Sequence, residues 1–124
     1  MTTTQDVAND LVALCRAGKF TEAGEKYWAE DVVSMEPFGD MAVIHGKAGA
    51  RGKGEWWEAH NEVHGVKVDG PWVNGDKFTV RYDMDVTSKD DGRRVKMDEI
   101  ALYTVKDGKI SEERFFYTPP AGMA

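Results

Sequence analysis

The sequence has a single cysteine, no long apolar run and no concentration of positive charge. Cys15 cannot form an internal disulfide, and its place on the apolar side of the first helical segment predicts burial as a small hydrophobic side chain. No apolar run approaches the roughly 20 residues that cross a bilayer. The first ten residues also lack the basic and hydrophobic regions of a signal peptide. We therefore expect a cytoplasmic protein with no membrane partner.

The charge balance argues against a second class of partner. Lysine and arginine together number 16 against 22 aspartates and glutamates, and the basic residues are scattered along the chain. Nucleic acids require a local cationic patch, so we expect no nucleic-acid partner. The 124 residues suffice for one domain that buries roughly two thirds of the surface its unfolded chain exposes. We predict a single domain over residues 1–124.

The first half of the chain repeats apolar residues at helical spacing. Threonines at positions 2 to 4 supply N-cap chemistry for a helix that ends near Gly18. A second helix, from residue 20 to about residue 29, follows almost without a linker and makes a helical hairpin. A third helix is predicted over residues 47–64, although its first half, GKAGARGKG, is rich in glycine and favours a helix only weakly.

After Gly65 the pattern changes to that of strands. Three pairs of the Asn-Gly or Asp-Gly type separate runs rich in Val, Tyr, Phe, Ile and Thr, and they predict four antiparallel strands in a meander. The stretch KFTVRYDMDVT alternates between an apolar face and a polar face. The apolar set is Phe78, Val80, Tyr82, Met84 and Val86, and the polar set is Thr79, Arg81, Asp83, Asp85 and Thr87. Helices followed by strands predict an α+β fold, with the helices on one face of a curved antiparallel sheet.

The order helix, helix, short strand, helix and four-strand meander resembles the NTF2-like superfamily, and within it the SnoaL-like and ketosteroid-isomerase-like cone folds. Three strings carry the resemblance: RAGKFTEAGEKYWAEDVVSMEP, HGKAGAR and YTVKDGKISEERFFY. It extends over nearly the whole chain and identifies the fold better than the reaction. It implies helices on the concave face of the sheet and a cone-shaped pocket for a small hydrophobic molecule. We expect no cofactor.

The string MEPFG places a carboxylate where the first strand must stop. In ketosteroid isomerases the general base is an acid immediately before a proline at this position, so the resemblance implies that Glu36 is the base. Independently, a carboxylate walled by Met35 and Phe38 loses hydration, which favours its protonated form. The alternative is that Glu36 points to solvent at the end of a strand.

The residues that assist such a base in the isomerases are only partly present in this sequence. The tyrosine of the isomerases corresponds to Leu11 here, and their protonated acid falls on or beside Asp98. Alternation groups Asp98 with Ile100 and Leu102, on a face that could line the cone. In the alternative, the MDE string is a register defect and Asp98 pairs with a nearby lysine.

The last strands supply the other candidates for the pocket. SnoaL-type cyclases carry a catalytic aspartate at the place of Phe115, and Glu113 on the same face could supply an acid instead. Tyr82 is either a replacement for the missing hydroxyl or a core tyrosine. The residues predicted to bind the ligand are Phe38, Trp57, Tyr82, Met84, Glu113, Phe115 and Tyr117.

Two histidines lie one helical turn apart in HNEVH. The spacing suits zinc, but no third ligand is near in the sequence, and we expect no metal. We interpret His60 as a hydrogen-bond donor or proton carrier near the pocket, and His64 as a cation at a helix C-terminus. GKAGARGKG does not match a phosphate-binding loop and is interpreted as a glycine-rich helix start that brings Trp56 and Trp57 close to the sheet.

Three functions remain open. The first is an isomerase, cyclase or lyase in which Glu36 is the base, assisted by Asp98, His60 or Tyr82. The second is a ligand-binding protein with the same cavity and no turnover, and the third is an interaction module whose cavity is filled by its own side chains. The outward face, which includes Arg81 and Phe116, predicts a homodimer through the sheet.

Overall fold

The computed structural model describes residues 2–118, which form three helices and one six-stranded sheet. The elements are α1 (Thr4–Arg16), α2 (Phe20–Tyr27), β1 (Trp28–Met35), β2 (Val43–His45), α3 (Lys47–His60), β3 (Asn61–Asn74), β4 (Lys77–Ser88), β5 (Arg94–Lys106) and β6 (Lys109–Phe116). No helix within residues 2–118 is long and apolar enough to cross a membrane.

The strands lie in the order β2-β1-β6-β5-β4-β3. Strands β3 to β6 form the predicted antiparallel meander, and β1 joins it by running parallel to β6. The predicted α+β cone, with helices on the concave face, is confirmed, and the sheet is mixed because of this one parallel pair. The pairing of β1 with β6 brings the residue after β1 beside the end of the chain's last strand.

The helical hairpin begins at a capping box. The side chain of Thr3 accepts a hydrogen bond from the Asp6 amide, and Asp6 accepts one from the Thr3 amide. Gly18 has a φ of 77°, which a residue with a side chain rarely adopts, and it ends the first helix as predicted. Cys15 is buried, as expected from its place on the apolar side of α1.

The third helix is shorter than predicted. It ends at His60, because Asn61 is already extended and pairs with Ser88 of β4. The prediction that His64 is a cation at a helix C-terminus is therefore wrong: His64 lies in β3, with its Nε2 2.7 Å from Thr87 Oγ1. The second helix likewise ends at Tyr27 instead of residue 29.

The predicted alternation of β4 is confirmed. Phe78, Val80, Tyr82 and Val86 are buried against the helices. Their neighbours on the opposite face, among them Arg81, form ion pairs at the surface. The concave face therefore carries the core, and the helices leave part of that face open beside Met84.

Candidate functional site

A cavity of about 470 Å³ opens between the three helices and the concave face of the sheet. Its wall is mostly apolar, with aromatic and methionine side chains from α2, α3, β4 and β5. Among them are Phe20, Trp57, Met84 and Met97. One end is different, because glutamates 36, 99 and 113 meet there with the ammonium of Lys53. A volume of this size suits a small organic ligand.

Glu36 lies in the wall of this polar end. It follows Val32 and Ser34 on the inward side of β1, and its backbone amide donates to the Ala42 carbonyl oxygen at 2.7 Å to close the turn toward β2. Its Oε1 lies 3.2 Å from Lys53 Nζ. Its Oε2 is buried and accepts no hydrogen bond from residues 2–118. One carboxylate oxygen is thus fixed, and the other is without a protein partner.

Lys53 was not among the residues predicted for the site. It extends from α3 toward β1, where its Nζ donates to Ser34 Oγ at 2.6 Å and lies 4.9 Å from the centre of the Phe115 ring. Its side chain is only 20% exposed. Nothing in GKAGARGKG separates it from Lys47, which donates to the Glu25 carbonyl oxygen on α2.

Glu113 is buried and held by two donors. Trp28 Nε1 donates to its Oε1 at 2.8 Å, and Ser34 Oγ donates to its Oε2 at 2.7 Å. These charge-assisted bonds compensate for the loss of water around a buried carboxylate. Glu113 therefore lines the cavity, as its alternation predicts, with both oxygens already engaged.

Glu99, like Lys53, was not among the residues predicted for the site. It is the partner of Tyr82 in the β4–β5 register and faces the cavity. Burial raises the pKa of Glu99 to about 7; the Glu36 and Glu113 carboxylates also raise it, and Lys53 opposes them. Its side chain makes no hydrogen bond or ion pair with another residue of the described chain. A carboxyl group at this place can hold or release a proton near neutral pH.

Asp98 lies on the other face, so its expected place in the pocket is wrong. It is 64% exposed and binds Arg81 Nη2 at 3.1 Å. The register of β5 with β4 is continuous from Arg94 to Thr104, which rules out the alternative of a defect at this point. Alternation therefore turns Glu99 inward and Asp98 outward.

Two further candidates lie away from the cavity wall. His60 stacks on Trp56 with ring centres 4.2 Å apart, and its Nδ1 is 2.7 Å from the Trp56 carbonyl oxygen. Phe38 is 44% exposed and meets Tyr117 edge-on, with ring centres 5.3 Å apart. The other predicted residues line the cavity: Trp57, Tyr82, Met84, Glu113, Phe115 and Tyr117.

Three tyrosines complete the lining. Tyr82 and Tyr103 share a hydrogen bond of 2.8 Å between their hydroxyls, so Tyr82 is a core tyrosine whose hydroxyl has a protein partner. Burial raises the pKa of both. Tyr117 follows the end of β6, and burial together with the neighbouring Glu36 carboxylate raises its pKa. Tyr117 thus lies close enough to interact with the Glu36 carboxylate.

No group of three His, Cys, Asp or Glu side chains in residues 2–118 is arranged to hold a metal ion. The polar end instead combines a partly free carboxylate, a carboxyl group that titrates near neutrality and an ammonium group. This combination can move protons on a bound organic molecule.

Comparison with known proteins gives one family and a set of similar folds. The model of the SnoaL-like domain matches residues 2–117. A protein of Mesorhizobium loti, provisionally named a SnoaL-like polyketide cyclase and carbohydrate phosphatase, is 51% identical; the match covers 94% of this chain and 100% of that one, with a TM-score of 0.91. No protein of curated function matches.

More distant structures share the fold alone. One from Bacillus subtilis, provisionally named an isomerase, is 16% identical with a TM-score of 0.78, and the match covers 95% of this chain and 91% of that one. One from Pseudomonas putida, provisionally named a polyketide cyclase, is 16% identical with a TM-score of 0.72, covering 95% and 93%.

Proposed function

Because the chain belongs to the SnoaL-like family, we propose that it is an acid–base enzyme of the isomerase or cyclase type acting on a small, mainly apolar molecule. The observation that carries the proposal is that Glu36 lies in the cavity wall and its buried Oε2 has no hydrogen-bond partner within residues 2–118. A buried polar atom that lacks a hydrogen bond is costly and calls for an explanation. A substrate whose proton this oxygen accepts is that explanation.

Glu36 and Glu99 divide the chemistry between them. Glu36, with Oε1 held by Lys53, removes a proton from a carbon next to a carbonyl group. The electron pair of the broken C–H bond forms the C=C bond of an enol, and protonated Glu99 gives its proton to the carbonyl oxygen. Where a second C=C bond is conjugated with the enol, Glu36 returns its proton to the far carbon while Glu99 takes back the enol proton, which completes an isomerisation. Where a second carbonyl lies in reach, the enol carbon attacks it, the enol proton returns to Glu99, and the new alkoxide takes the proton from Glu36, which closes a ring. Two carboxyl groups in different protonation states are what such a sequence requires.

The charges at the polar end restrict the substrate. Three carboxyl groups, those of Glu36, Glu99 and Glu113, face the single ammonium of Lys53. A substrate carboxylate or phosphate there would meet an excess of negative charge at short range. We therefore expect an uncharged ketone on a flat apolar frame, in keeping with the aromatic wall.

A simple ketone tests the proposal without knowledge of the natural substrate. 2-Tetralone is uncharged and has exchangeable hydrogens next to its carbonyl, and 2-naphthoate is a charged molecule of similar size. We expect 2-tetralone to raise the melting temperature, since a ligand at 100 times its Kd stabilises by about 2.7 kcal/mol, and 2-naphthoate to have no effect. Equal stabilisation by both would contradict the charge argument.

Exchange of the hydrogens of 2-tetralone for deuterium, followed by NMR, tests catalysis. Glu36→Gln should slow the enzyme-catalysed exchange on the order of 10²- to 10⁴-fold, because the general base is lost. Asp98→Asn, on the outer face, is the matched control and should exchange at the normal rate. Catalysis that survives Glu36→Gln would remove Glu36 from the role of base.

A ligand-binding protein without turnover is the second candidate. It is favoured by Leu11, which stands where the isomerases carry a tyrosine and lines the cavity without a hydroxyl. Tight binding of 2-tetralone, with no exchange above the rate of the buffer, would select this function. The open volume beside Glu36 argues against the filled interaction module.

We also propose that the protein is a homodimer through the outer face of the sheet. Trp72 and Phe116 are 57% and 47% exposed on this face, beside the Arg81 ion pairs. A second copy would cover both aromatic side chains. The charged side chains of this face in one copy would then lie opposite side chains of the other sign in its partner. Sedimentation that shows only monomer at micromolar concentration would refute the dimer.

A further inference from the structure

Lys53 occupies a position that its sequence context does not suggest. The other two cations of the same helix segment, Lys47 and Arg51, both bind Glu25 and attach α3 to α2. Lys53 instead extends toward the sheet, where its ammonium contacts Ser34 and Glu36 at 2.6 and 3.2 Å. A buried ammonium needs such partners, because it has lost most of its water.

The hydrogen bonds behind Lys53 converge on Glu113. Lys53 donates to Ser34 Oγ, so the hydroxyl hydrogen of Ser34 is free to donate to Glu113 Oε2. Trp28 Nε1 donates to the other oxygen of Glu113. Donors therefore occupy both oxygens of Glu113, and its negative charge reaches the ammonium through one hydroxyl.

The same ammonium has one carboxylate on each side. Glu36 is in direct contact, and Glu113 acts through Ser34. Because Glu113 and Ser34 hold the ammonium from behind, Lys53 cannot move forward to cover both oxygens of Glu36. This restraint accounts for the observation that Oε1 is paired and Oε2 is not.

We propose that Lys53 is a positioning residue for Glu36, and that the chain Trp28–Glu113–Ser34 fixes Lys53 so that one oxygen of Glu36 stays directed into the cavity. The inference rests on the proposed function for its purpose, since a positioned oxygen matters to a base. The hydrogen-bonded arrangement itself does not depend on whether the protein turns over a substrate. It can therefore be tested on the protein without a substrate.

The indole N–H signal of Trp28 in a ¹H–¹⁵N NMR spectrum reports on the far end of the chain. Lys53→Met removes the ammonium and keeps the aliphatic stem, and it should shift this signal although Lys53 and Trp28 are not in contact. Lys47→Met removes a lysine from the same helix that is not part of the chain, and it should leave the signal in place. Lys53→Gln replaces Lys53→Met if the latter does not fold.

Ser34→Ala tests the connection itself. In a Ser34→Ala background, Lys53→Met should no longer move the Trp28 signal, because the hydroxyl between the ammonium and Glu113 is absent. A Trp28 signal that ignores Lys53→Met in the wild-type background would overturn the proposal. So would a signal that responds equally with and without Ser34.

The titration of Glu99 reports whether the charge of residue 53 acts inside the cavity. The Lys53 ammonium lowers the pKa of Glu99, which burial and the other glutamates raise to about 7. Lys53→Met should therefore raise the midpoint of the Glu99 carboxyl signal, and Lys53→Arg should restore it. An unchanged midpoint in a folded Lys53→Met protein would count against the proposal. Absence of 2-tetralone exchange would contradict the proposed function and leave these results untouched.

Discussion

Carboxylates lie on both faces of the sheet, and their surroundings give them opposite acid–base behaviour. On the outer face, hydrogen bonds from Arg81 and Arg94 lower the pKa values of Asp83 and Asp85. On the inner face, burial raises the pKa of Glu99 to about 7. The outer carboxylates have arginine partners and water, whereas the inner one has neither arginine nor free access to water. The face of the sheet on which a carboxyl group lies therefore determines whether its pKa is lowered or raised.

The largest expected difference between the faces concerns packing. Phe78 is 1% exposed on the inner face, and Phe116 is 47% exposed on the outer face. Phe78→Ala should cost about 3–5 kcal/mol of unfolding free energy, because it leaves a cavity in the core. Phe116→Ala should cost less than about 1 kcal/mol in the monomer. Urea unfolding of both variants checks the contrast, and equal costs would show that the outer face is covered as well.

The next prediction concerns pH. Glu99 has an ordinary pKa of 4.5 when unfolded and about 7 when folded, so the folded protein binds more protons between these values. The contribution of Glu99 to the unfolding free energy should therefore be most favourable below pH 4.5. It should fall by up to roughly 3 kcal/mol as the pH rises to 7. Glu99→Gln should remove this fall, and Asp98→Asn should keep it. Urea unfolding between pH 5 and 8 measures it; identical profiles for wild type and Glu99→Gln would disprove the assignment.

A smaller effect on stability is expected at Gly24 in α2, next to the Trp28 side chain that holds Glu113. A Cβ on Gly24 would lie 2.5 Å from the Trp28 ring, whose N–H holds Glu113. Gly24→Ala should therefore cost about 1–3 kcal/mol through overpacking. Gly52 has open space around its missing Cβ, so Gly52→Ala in α3 should stabilise by about 1 kcal/mol. Thermal unfolding of Gly24→Ala and Gly52→Ala checks the two predictions. If both variants were stabilised, the Trp28 ring would be free to move away from the added methyl group.

The smallest expected effect on stability concerns the ion pairs of Arg81 on the outer face of the sheet. Arg81 binds Asp83 and Asp98 at the surface, where ion pairs contribute little. Arg81→Met should leave the urea midpoint nearly unchanged and return the pKa of Asp83 toward its ordinary value of 3.8. NMR titration of the Asp83 carboxyl group checks the second part. A strongly destabilised variant would show that the two faces are more alike than their exposure suggests.

Much of the fold could be predicted from local signals. The alternation of KFTVRYDMDVT indicates which face of β4 is buried, because only one of its two sets is apolar. The hairpin turns are encoded by Asn-Gly and Asp-Gly pairs whose glycines adopt positive φ. The position of Glu36 could be predicted because Pro37 follows it and the resemblance supplies the geometry.

The face of β5 could not be predicted in the same way. Ile100 and Leu102 on one side, and Ala101 and Tyr103 on the other, are all compatible with burial, so alternation alone does not choose between them. Pairing with β4 makes the choice, since Tyr103 lies opposite Phe78. The resemblance places the acid on or beside Asp98, and alternation alone does not move that prediction to Glu99.

The contacts of Lys53 depend on distances that no local pattern contains. The length of a lysine side chain permits many partners, and only the closeness of α3 to β1 selects Ser34 and Glu36. His60 is different, because it stacks on Trp56 one turn earlier in the same helix. Long-range geometry thus decides which polar residues meet.

The closeness of α3 to the sheet has a consequence for ligand size. A Cβ on Gly49 would lie only 2.6 Å from Ile44 Cγ2, so the absence of a side chain at residue 49 sets the separation between helix and strand. A single methyl group there would act as a spacer and lift the helix. The cavity would become taller while every residue of its wall stayed the same. Because Lys53 extends from the same helix to Glu36, residue 49 couples the height of the cavity to the contact that holds the carboxylate.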